Sequence, residues 1–248
     1  MCYLATNTPH GPFIPKEEDR KVIADVLAQS KFDYLNDGLK KRLTLYLGMI
    51  RNIDWNMGKL MKFLDDENLA KDTILIFLSE QGIAMPRGKW SPYEHGSRAL
   101  CLAYWKGRIL SRKTNALAMY CDILPTLIDF AGGKAPLLDG LSLMGLWTDK
   151  KIKDHRKEIL LSNVHPFWQK AIVTNTYKLI WTGHPEKEHI WGNFHSKGKF
   201  FAKPWAEWME KAKSNETAAR KLKRVLQPRA FELYDVVSDP YETKDLGL

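Results

Sequence analysis

Several classes of protein are excluded by what this sequence has little of. Its three cysteines, Cys2, Cys101 and Cys121, are too few and too scattered for a disulfide scaffold or a zinc knuckle. No apolar run approaches the roughly 18 residues that a membrane-spanning helix needs. Glycine and proline, at 16 and 12 of 248 residues, are too sparse for a collagen-like or low-complexity chain. Hydrophobic residues make up 44%, which is enough for a folded core and argues against a disordered chain.

The sequence has a net positive charge, which does not by itself indicate what the protein binds. Lysine and arginine number 38 against 29 acidic residues, so the formal net charge is +9. A net positive surface attracts polyanions such as nucleic acids, anionic lipids and sulfated or phosphorylated sugars. The same excess also serves simple solubility, so charge alone does not select a partner.

Helices and buried strands are predicted in the first half of the chain. Residues 16–29 and 40–64 predict helices, the second from apolar residues that recur at three- and four-residue steps. Residues 73–78 and 99–105 are short apolar runs, typical of strands covered on both faces in a parallel sheet. Met1–Thr6 lacks the basic region and the long apolar region of a signal peptide. These residues instead predict a buried strand that is already under way at the first residue.

A change of organisation is predicted near residue 148. After a helix at 119–131, short strands follow at turn-like spacing, which is typical of an antiparallel sheet. The predicted strands are 159–162, 171–174, 177–181 and 231–235, and the predicted helices are 205–213 and 216–226. We therefore predict two parts, an α/β part over residues 1–148 and a smaller α+β subdomain over 149–248.

Polar residues follow the predicted strand at 73–78. Ligands of open parallel sheets bind outside the carboxyl ends of the strands. Glu80 and Gln81 stand there side by side, and Gly82 permits a sharp turn after them. Their oxygens suit Ca²⁺ or Mg²⁺. A solvated junction between strand and loop is the alternative.

Two further segments carry candidate anion ligands. His10 lies between two prolines that aim its imidazole, which could donate a hydrogen bond to an anion. A turn histidine facing water is the alternative. Residues 87–98 hold basic side chains, including Lys89, on a glycine-bounded loop apt for an oxyanion. A charged surface loop is the alternative there.

Taken in chain order, the segments that carry His10, Glu80 with Gln81, and Lys89 resemble motifs of the sulfatase family within the alkaline-phosphatase superfamily. Each motif is short, but six of them occur in the family's order along most of the chain. The resemblance implies an α/β, partial alkaline-phosphatase-like fold, with a mainly parallel sheet flanked by helices and a smaller C-terminal antiparallel subdomain. It also implies a sulfuric ester hydrolase that acts, in its complete form, on sulfated carbohydrate. The matching segments are 1–13, 45–64, 76–82, 88–98, 122–143 and 231–242.

The resemblance implies roles for individual residues. His10 and Lys89 would be catalytic and would bind the sulfate ester, with Lys89 stabilising charge on the bridging oxygen. Glu80 and Gln81 would fall where the family's Asp and Asn or His hold Ca²⁺, with Mg²⁺ as the alternative metal. Both are one methylene longer than the usual pair, yet both offer oxygen. His95 replaces a glycine of the usual pattern, and we expect it to face solvent.

The family's nucleophile segment is absent. Family members use a formylglycine made from the cysteine of a Cys-x-Pro/Ala-x-Arg segment, and none of the three cysteines here fits it. The resemblance therefore covers the C-terminal part of a type I formylglycine-dependent sulfatase, and we expect this chain alone to be inactive. A truncated or split reading frame is expected, with a separately encoded N-terminal segment as a candidate partner. The parent family is periplasmic, lysosomal or secreted.

Two other functions stay open. A phosphoryl-transfer relative of the same superfamily would use a similar site, because sulfate and phosphate are both tetrahedral oxyanions. A non-catalytic, basic polyanion-binding module would use the run Arg220–Arg224. We expect neither a nucleic-acid nor a membrane partner. Some tryptophans could stack on sugar faces, although subdomain core is the simpler assignment for most: Trp168, Trp181, Trp191, Trp205 and Trp208.

Overall fold

The computed structural model describes residues 1–29, 37–83, 85–163, 168–189 and 202–247. The chain forms two compact units, Met1–Thr73 and Ile74–Leu248. The domain boundary predicted near residue 148 falls inside the second unit, just before its larger sheet, and stays a prediction. Among the described residues, no helix is both long enough and apolar enough to cross a membrane.

The first unit is a pair of helices, α1 (Glu17–Gln29) and α2 (Asp37–Asp66). Both confirm the sequence prediction. Asp19 of α1 is buried, pairs with Arg51 of α2 and accepts a hydrogen bond from Asn52 at 3.2 Å. Gly48 lets Pro15 approach α2, since a Cβ on that glycine would lie 2.9 Å from the proline Cβ. This close approach sets where the chain enters α1.

The strand predicted at Met1–Thr6 is wrong. These residues belong to no strand of the described chain and are exposed, with 87% of Tyr3 and 76% of Leu4 accessible. A strand needs a neighbour for its backbone hydrogen bonds, and the first unit offers only helices in its described part. Apolar composition alone could not reveal that this partner is lacking.

The second unit begins with a two-stranded sheet. Strand β1 (Leu75–Leu78) pairs with β2 (Cys101–Tyr104), which confirms both strands. The pair is antiparallel, with Leu75 opposite Tyr104. The expected mainly parallel sheet is therefore not confirmed, since both sheets of the described residues are antiparallel. A short apolar run indicates burial but carries no information on strand direction.

Short helices follow β1 and β2, and a buried aspartate ties together the segments after β2. They are α3 (Glu94–Ser97), a 3₁₀ turn (Tyr120–Asp122), α4 (Ile123–Phe130) and α5 (Met144–Thr148). The Asp122 carboxylate is fully buried and accepts hydrogen bonds from Arg156 and from the backbone N–H groups of Met119 and Leu141, both at 2.8 Å. Burial alone would raise the pKa of Asp122, but these donors outweigh it and hold the pKa at about 2.

The larger sheet is antiparallel, as predicted, and its strands lie in the order β3-β4-β5-β6. Its strands are β3 (Glu158–Asn163), β4 (Gln169–Thr174), β5 (Tyr177–Thr182) and β6 (Phe231–Asp235). Ala171, Ile180 and Tyr234 form a core cluster with Tyr93, which precedes α3. Before β6 come helices α6 (Ala202–Ala212) and α7 (Glu216–Leu226), which also confirm the prediction.

Candidate functional site

The carboxyl end of β1 is tied to its neighbours by Ser79. Its N–H donates to the Leu100 carbonyl at 3.0 Å, and its hydroxyl accepts from the Leu100 N–H at 2.7 Å. The Tyr120 hydroxyl donates to the carbonyls of Ser79 and Glu80. The backbone that carries Glu80 and Gln81 is thus held from two sides.

Two glycines bring the segment after β1 against the segment that carries Lys89. The Gly82 N–H donates to the Gly96 carbonyl at 3.3 Å, and a Cβ on Gly82 would lie only 1.5 Å from the His95 carbonyl oxygen. The Lys89 N–H donates to the Ile83 carbonyl at 3.0 Å. Only glycine allows such close passage of two backbones. Three predicted site residues, Glu80, Gln81 and Lys89, therefore share one folded loop.

The predicted site residues differ in exposure. The Glu80 side chain is exposed, whereas Gln81 and Lys89 are half-buried. The Lys89 Nζ atom lies 5.4 Å from the ring centroid of Trp90. His10 is exposed in the first unit, with Nδ1 2.8 Å from the Gly11 carbonyl oxygen. Its convergence with Lys89 stays a prediction.

His95 and Arg98 lie at the end of the same loop. His95 is exposed, as expected, and its ring stacks on Tyr241 with centroids 5.9 Å apart. Arg98 donates to the Asn115 side chain at 3.2 Å and lies 3.6 Å from Glu94. These contacts hold Arg98 against its own loop.

Arg87, two residues before Lys89, is nearly buried and anchors the loop to the larger sheet. It donates to Glu232 Oε1 at 3.1 Å and to the Glu242 carbonyl at 3.2 Å. Its guanidinium also lies 4.2 Å from the ring centroid of Tyr93. Burial would lower the pKa of Arg87, but the Glu232 carboxylate and the hydrogen bond to the Tyr234 hydroxyl oppose it, and the pKa is raised. Arg87 is therefore charged.

Glu232 of β6 is the ion-pair partner of Arg87 in the larger sheet. It is 2% exposed and accepts hydrogen bonds from the Tyr93 hydroxyl and, at 2.6 Å, from the Tyr234 hydroxyl. Burial raises the pKa of both tyrosines, so both hydroxyls keep their protons and act as donors. With Arg87, three donors satisfy this buried carboxylate.

A second buried ion pair joins α3 to β5. The Lys178 Nζ atom is fully buried and lies 2.5 Å from Glu94 Oε1 and 3.0 Å from Glu242 Oε1. Glu242 also accepts from the Glu94 backbone N–H at 2.9 Å. Burial raises the pKa of Glu242 above its ordinary value. The loop that carries Lys89 is thus fastened to β5, β6 and the segment after β6.

Arg87, Tyr93 and Glu232 lie in segments singled out in the sequence, but the sequence predicted no role for them. A signal was available in β6, where Glu232 and Tyr234 lie two residues apart and so share one face of the strand. The neighbouring Phe231 is 48% exposed on the opposite face. Buried polar side chains in a strand need partners, and this pattern indicates a buried polar contact without naming the partner.

The described residues do not fit a complete Ca²⁺ site. Among them, no group of three or more His, Cys, Asp or Glu side chains is arranged to hold a metal ion. Ca²⁺ takes six to eight oxygen ligands. Glu80 and Gln81 supply only two side chains toward that number.

The candidate sugar-binding tryptophans fall into two groups. Trp205 is buried and packs edge-on against Trp208, with centroids 5.5 Å apart, so both belong to the helical core. Trp168 and Trp181 are 55% and 37% exposed. Trp191 lies outside the described residues.

Comparison with known proteins identifies one family. A family model described as Sulfatase matches residues 1–133. The ulvan-active sulfatase of Formosa agariphila is 27% identical over 99% of this chain and 47% of its own length. Human arylsulfatase A is 35% identical over 39% of this chain and 22% of its own length. The dog N-acetylgalactosamine-6-sulfatase is 30% identical over 47% of this chain and 27% of its own length.

Solved structures share the fold. A protein of the Bacteroides thetaiotaomicron locus for metabolism of multiple glycosaminoglycans superposes with a TM-score of 0.68 at 19% identity, over 99% of this chain and 49% of that one. A protein in complex with its substrate D-glucosamine-2-N,6-O-disulfate superposes with a TM-score of 0.58 at 21% identity, over 91% and 40%. The fold is thus the expected α/β, alkaline-phosphatase-like one. The chain spans about half or less of the length of these proteins.

Proposed function

Because the chain belongs to the sulfatase family, we propose that it supplies the sulfate-binding part of an active site for hydrolysis of sulfated carbohydrate. The observation that carries the proposal is the fixed loop that brings Lys89 beside the segment bearing Glu80 and Gln81. Basic side chains on a preorganised loop stabilise an oxyanion without reorganising as charge develops. The carbohydrate class is supported by the names of relatives, which include N-acetylgalactosamine-6-sulfatase and ulvan-active sulfatase.

Lys89 would hold the sulfate group and stabilise charge on the bridging oxygen as the ester bond breaks. An ammonium group is a compact point charge, suited to a single oxygen of a tetrahedral anion. The half-buried position of Lys89 keeps part of the water away from this contact and strengthens it. We also propose His10, considered by itself, as a hydrogen-bond donor to a sulfate ester.

Sulfate binding tests the proposal directly. We expect Lys89→Ala to weaken binding of an unreactive aryl sulfonate by roughly tenfold or more, since hydrogen bonds to charged groups contribute about 1.5–3 kcal/mol. Calorimetry on the purified chain provides the measurement. Lys113→Ala, which removes an exposed lysine elsewhere in the second unit, is the matched control and should leave binding unchanged. Tighter binding of an aryl phosphonate than of the sulfonate would favour the phosphoryl-transfer alternative.

We also propose that Glu80 and Gln81 are two of the ligands of a Ca²⁺ ion. With two side chains available, this chain should bind Ca²⁺ only weakly, with a dissociation constant of roughly 10⁻³ M or above. In isothermal titration with Ca²⁺, the Glu80→Ala variant should bind the ion even more weakly than the native chain. Glu67→Ala, a control on another exposed glutamate, should leave the affinity unchanged. Micromolar affinity abolished by Glu80→Ala would contradict this account and would mean that further ligands lie in this chain.

A further inference from the structure

Two exposed tryptophans, Trp90 next to Lys89 and Trp168 directly before β4, adopt an unusual backbone conformation. Trp90 has φ 68° and Trp168 has φ 49°, both in the left-handed region. Bulky residues rarely enter this region, and they persist there only where the surroundings fix them. Their rings are 48% and 55% exposed, so core packing does not account for the strain. Such outliers concentrate at binding sites.

Asn163 links the two tryptophans. Its side-chain amide donates to the Trp90 carbonyl, so the end of β3 holds the residue that follows Lys89. Asn163 is also the ladder partner of Gln169 in β4, and Trp168 directly precedes Gln169. Trp90 and Trp168 therefore meet the same end of the larger sheet.

The backbone around Trp168 is fixed by its neighbours. The Gly183 N–H donates to the Trp168 carbonyl at 2.9 Å. A Cβ on Gly183 would lie 3.3 Å from the Trp168 Cβ and 3.1 Å from the ring of Trp181, so this glycine lies between the Trp181 indole and the backbone of Trp168. His184 lies edge-on to Trp168, with centroids 6.0 Å apart. These contacts fix the backbone of Trp168 and place His184 at the edge of its indole.

We propose that Trp90 and Trp168 form a carbohydrate-ring subsite beside Lys89. The inference rests on the proposed function, since Lys89 is taken to hold the sulfate group of the same ligand. The apolar C–H face of a pyranose packs on an indole face, which offers a large rigid apolar surface. The Lys89 ammonium, 5.4 Å from the Trp90 centroid, places the positive charge next to that surface. An aromatic face beside a cation matches a sugar that carries a sulfate.

Three ligands distinguish sulfate binding by Lys89 from sugar binding by the tryptophans. They are inorganic sulfate, N-acetylgalactosamine 6-sulfate and N-acetylgalactosamine. For the full chain we expect the sulfated sugar to bind about tenfold more tightly than inorganic sulfate, as measured by calorimetry. Trp168→Gly should remove this advantage and leave the affinity for inorganic sulfate unchanged. Glycine is unstrained at φ 49°, and the strain relieved offsets part of the lost indole packing, so this variant should still unfold in one cooperative thermal transition.

Two further variants serve as controls. Trp168→Phe keeps an aromatic face and should retain most of the advantage of the sulfated sugar. Trp55→Ala removes a tryptophan of similar exposure from α2 and should change nothing.

The outcomes for the subsite and for Lys89 are distinguishable. Equal affinity of sulfate and sulfated sugar in the native chain, or an unchanged advantage in Trp168→Gly, would overturn the subsite. Failure of Lys89→Ala to weaken inorganic sulfate would instead count against the proposed function. In that case, if the native chain binds N-acetylgalactosamine and Trp168→Gly does not, the carbohydrate-ring subsite would still be supported.

Discussion

Arg87→Met is expected to lower the free energy of unfolding of the second unit by about 3–5 kcal/mol, the usual cost of removing one partner of a buried ion pair. Arg87 and Glu232 lie 3.1 Å apart, with 14% and 2% of their side chains exposed. Without the guanidinium, the partners that remain for the Glu232 charge within the described part of the chain are the hydroxyls of Tyr93 and Tyr234. Urea unfolding monitored by tryptophan fluorescence measures the loss.

The control for this prediction lies in the same loop. Arg98 is 60% exposed and lies 3.6 Å from Glu94, four residues earlier. Exposed pairs of this kind contribute about 0.2–1 kcal/mol, so Arg98→Met should cost no more than that. The double variant Arg87→Met with Glu232→Leu should regain part of the loss, because the uncompensated charge is then gone. Equal costs for Arg87→Met and Arg98→Met would show that the buried pair does not anchor the loop.

The same variants test how the anchor serves Lys89. The Lys89 N–H donates to the Ile83 carbonyl, and Arg87 is two residues away along the chain. When Arg87 is removed, the amides of residues 85–98 should exchange faster with solvent, since exchange follows local opening. The amides of α1 and α2 belong to the first unit and serve as the internal reference.

Local pattern was sufficient to predict most helices and strands. Apolar residues at three- and four-residue steps predicted residues 40–64 as a helix, and the structure extends it to Asp37–Asp66. The strands at 171–174 and 177–181 were predicted from short apolar runs at turn-like spacing, and they pair as β4 and β5. In both cases the information lies within a few residues of the element it specifies.

Contacts between distant segments could not be predicted in the same way. Arg87 and Glu232 are 145 residues apart, and Tyr93 and Glu232 are 139 apart. The motifs around residues 88–98 and 231–242 were both singled out, but neither indicates that one binds the other. The direction of β1 against β2 and the missing partner of Met1–Thr6 depend on distant segments as well. The sequence therefore singled out the loop that carries Lys89 but not the contacts that fix it.

The isolated chain is expected to show no measurable hydrolysis of aryl sulfates or of sulfated glucosamine. In the proposed function Lys89 binds the sulfate ester and stabilises charge, but none of the three cysteines lies in a Cys-x-Pro/Ala-x-Arg segment. Loss of a covalent nucleophile commonly lowers the rate of a hydrolase by roughly 10⁴-fold or more. A fluorogenic aryl sulfate assay on the purified chain measures what is left.

Activity should appear when a sulfatase N-terminal segment with an intact Cys-x-Pro/Ala-x-Arg motif is co-produced with this chain. The matched control is the same segment with its cysteine replaced by alanine, which should leave the mixture inactive. Lys89→Ala in this chain should abolish the restored activity, because the charge on the bridging oxygen would then lack its cation. Turnover by the isolated chain that Lys89→Ala removes would contradict this account and would place the nucleophile among the residues of this sequence.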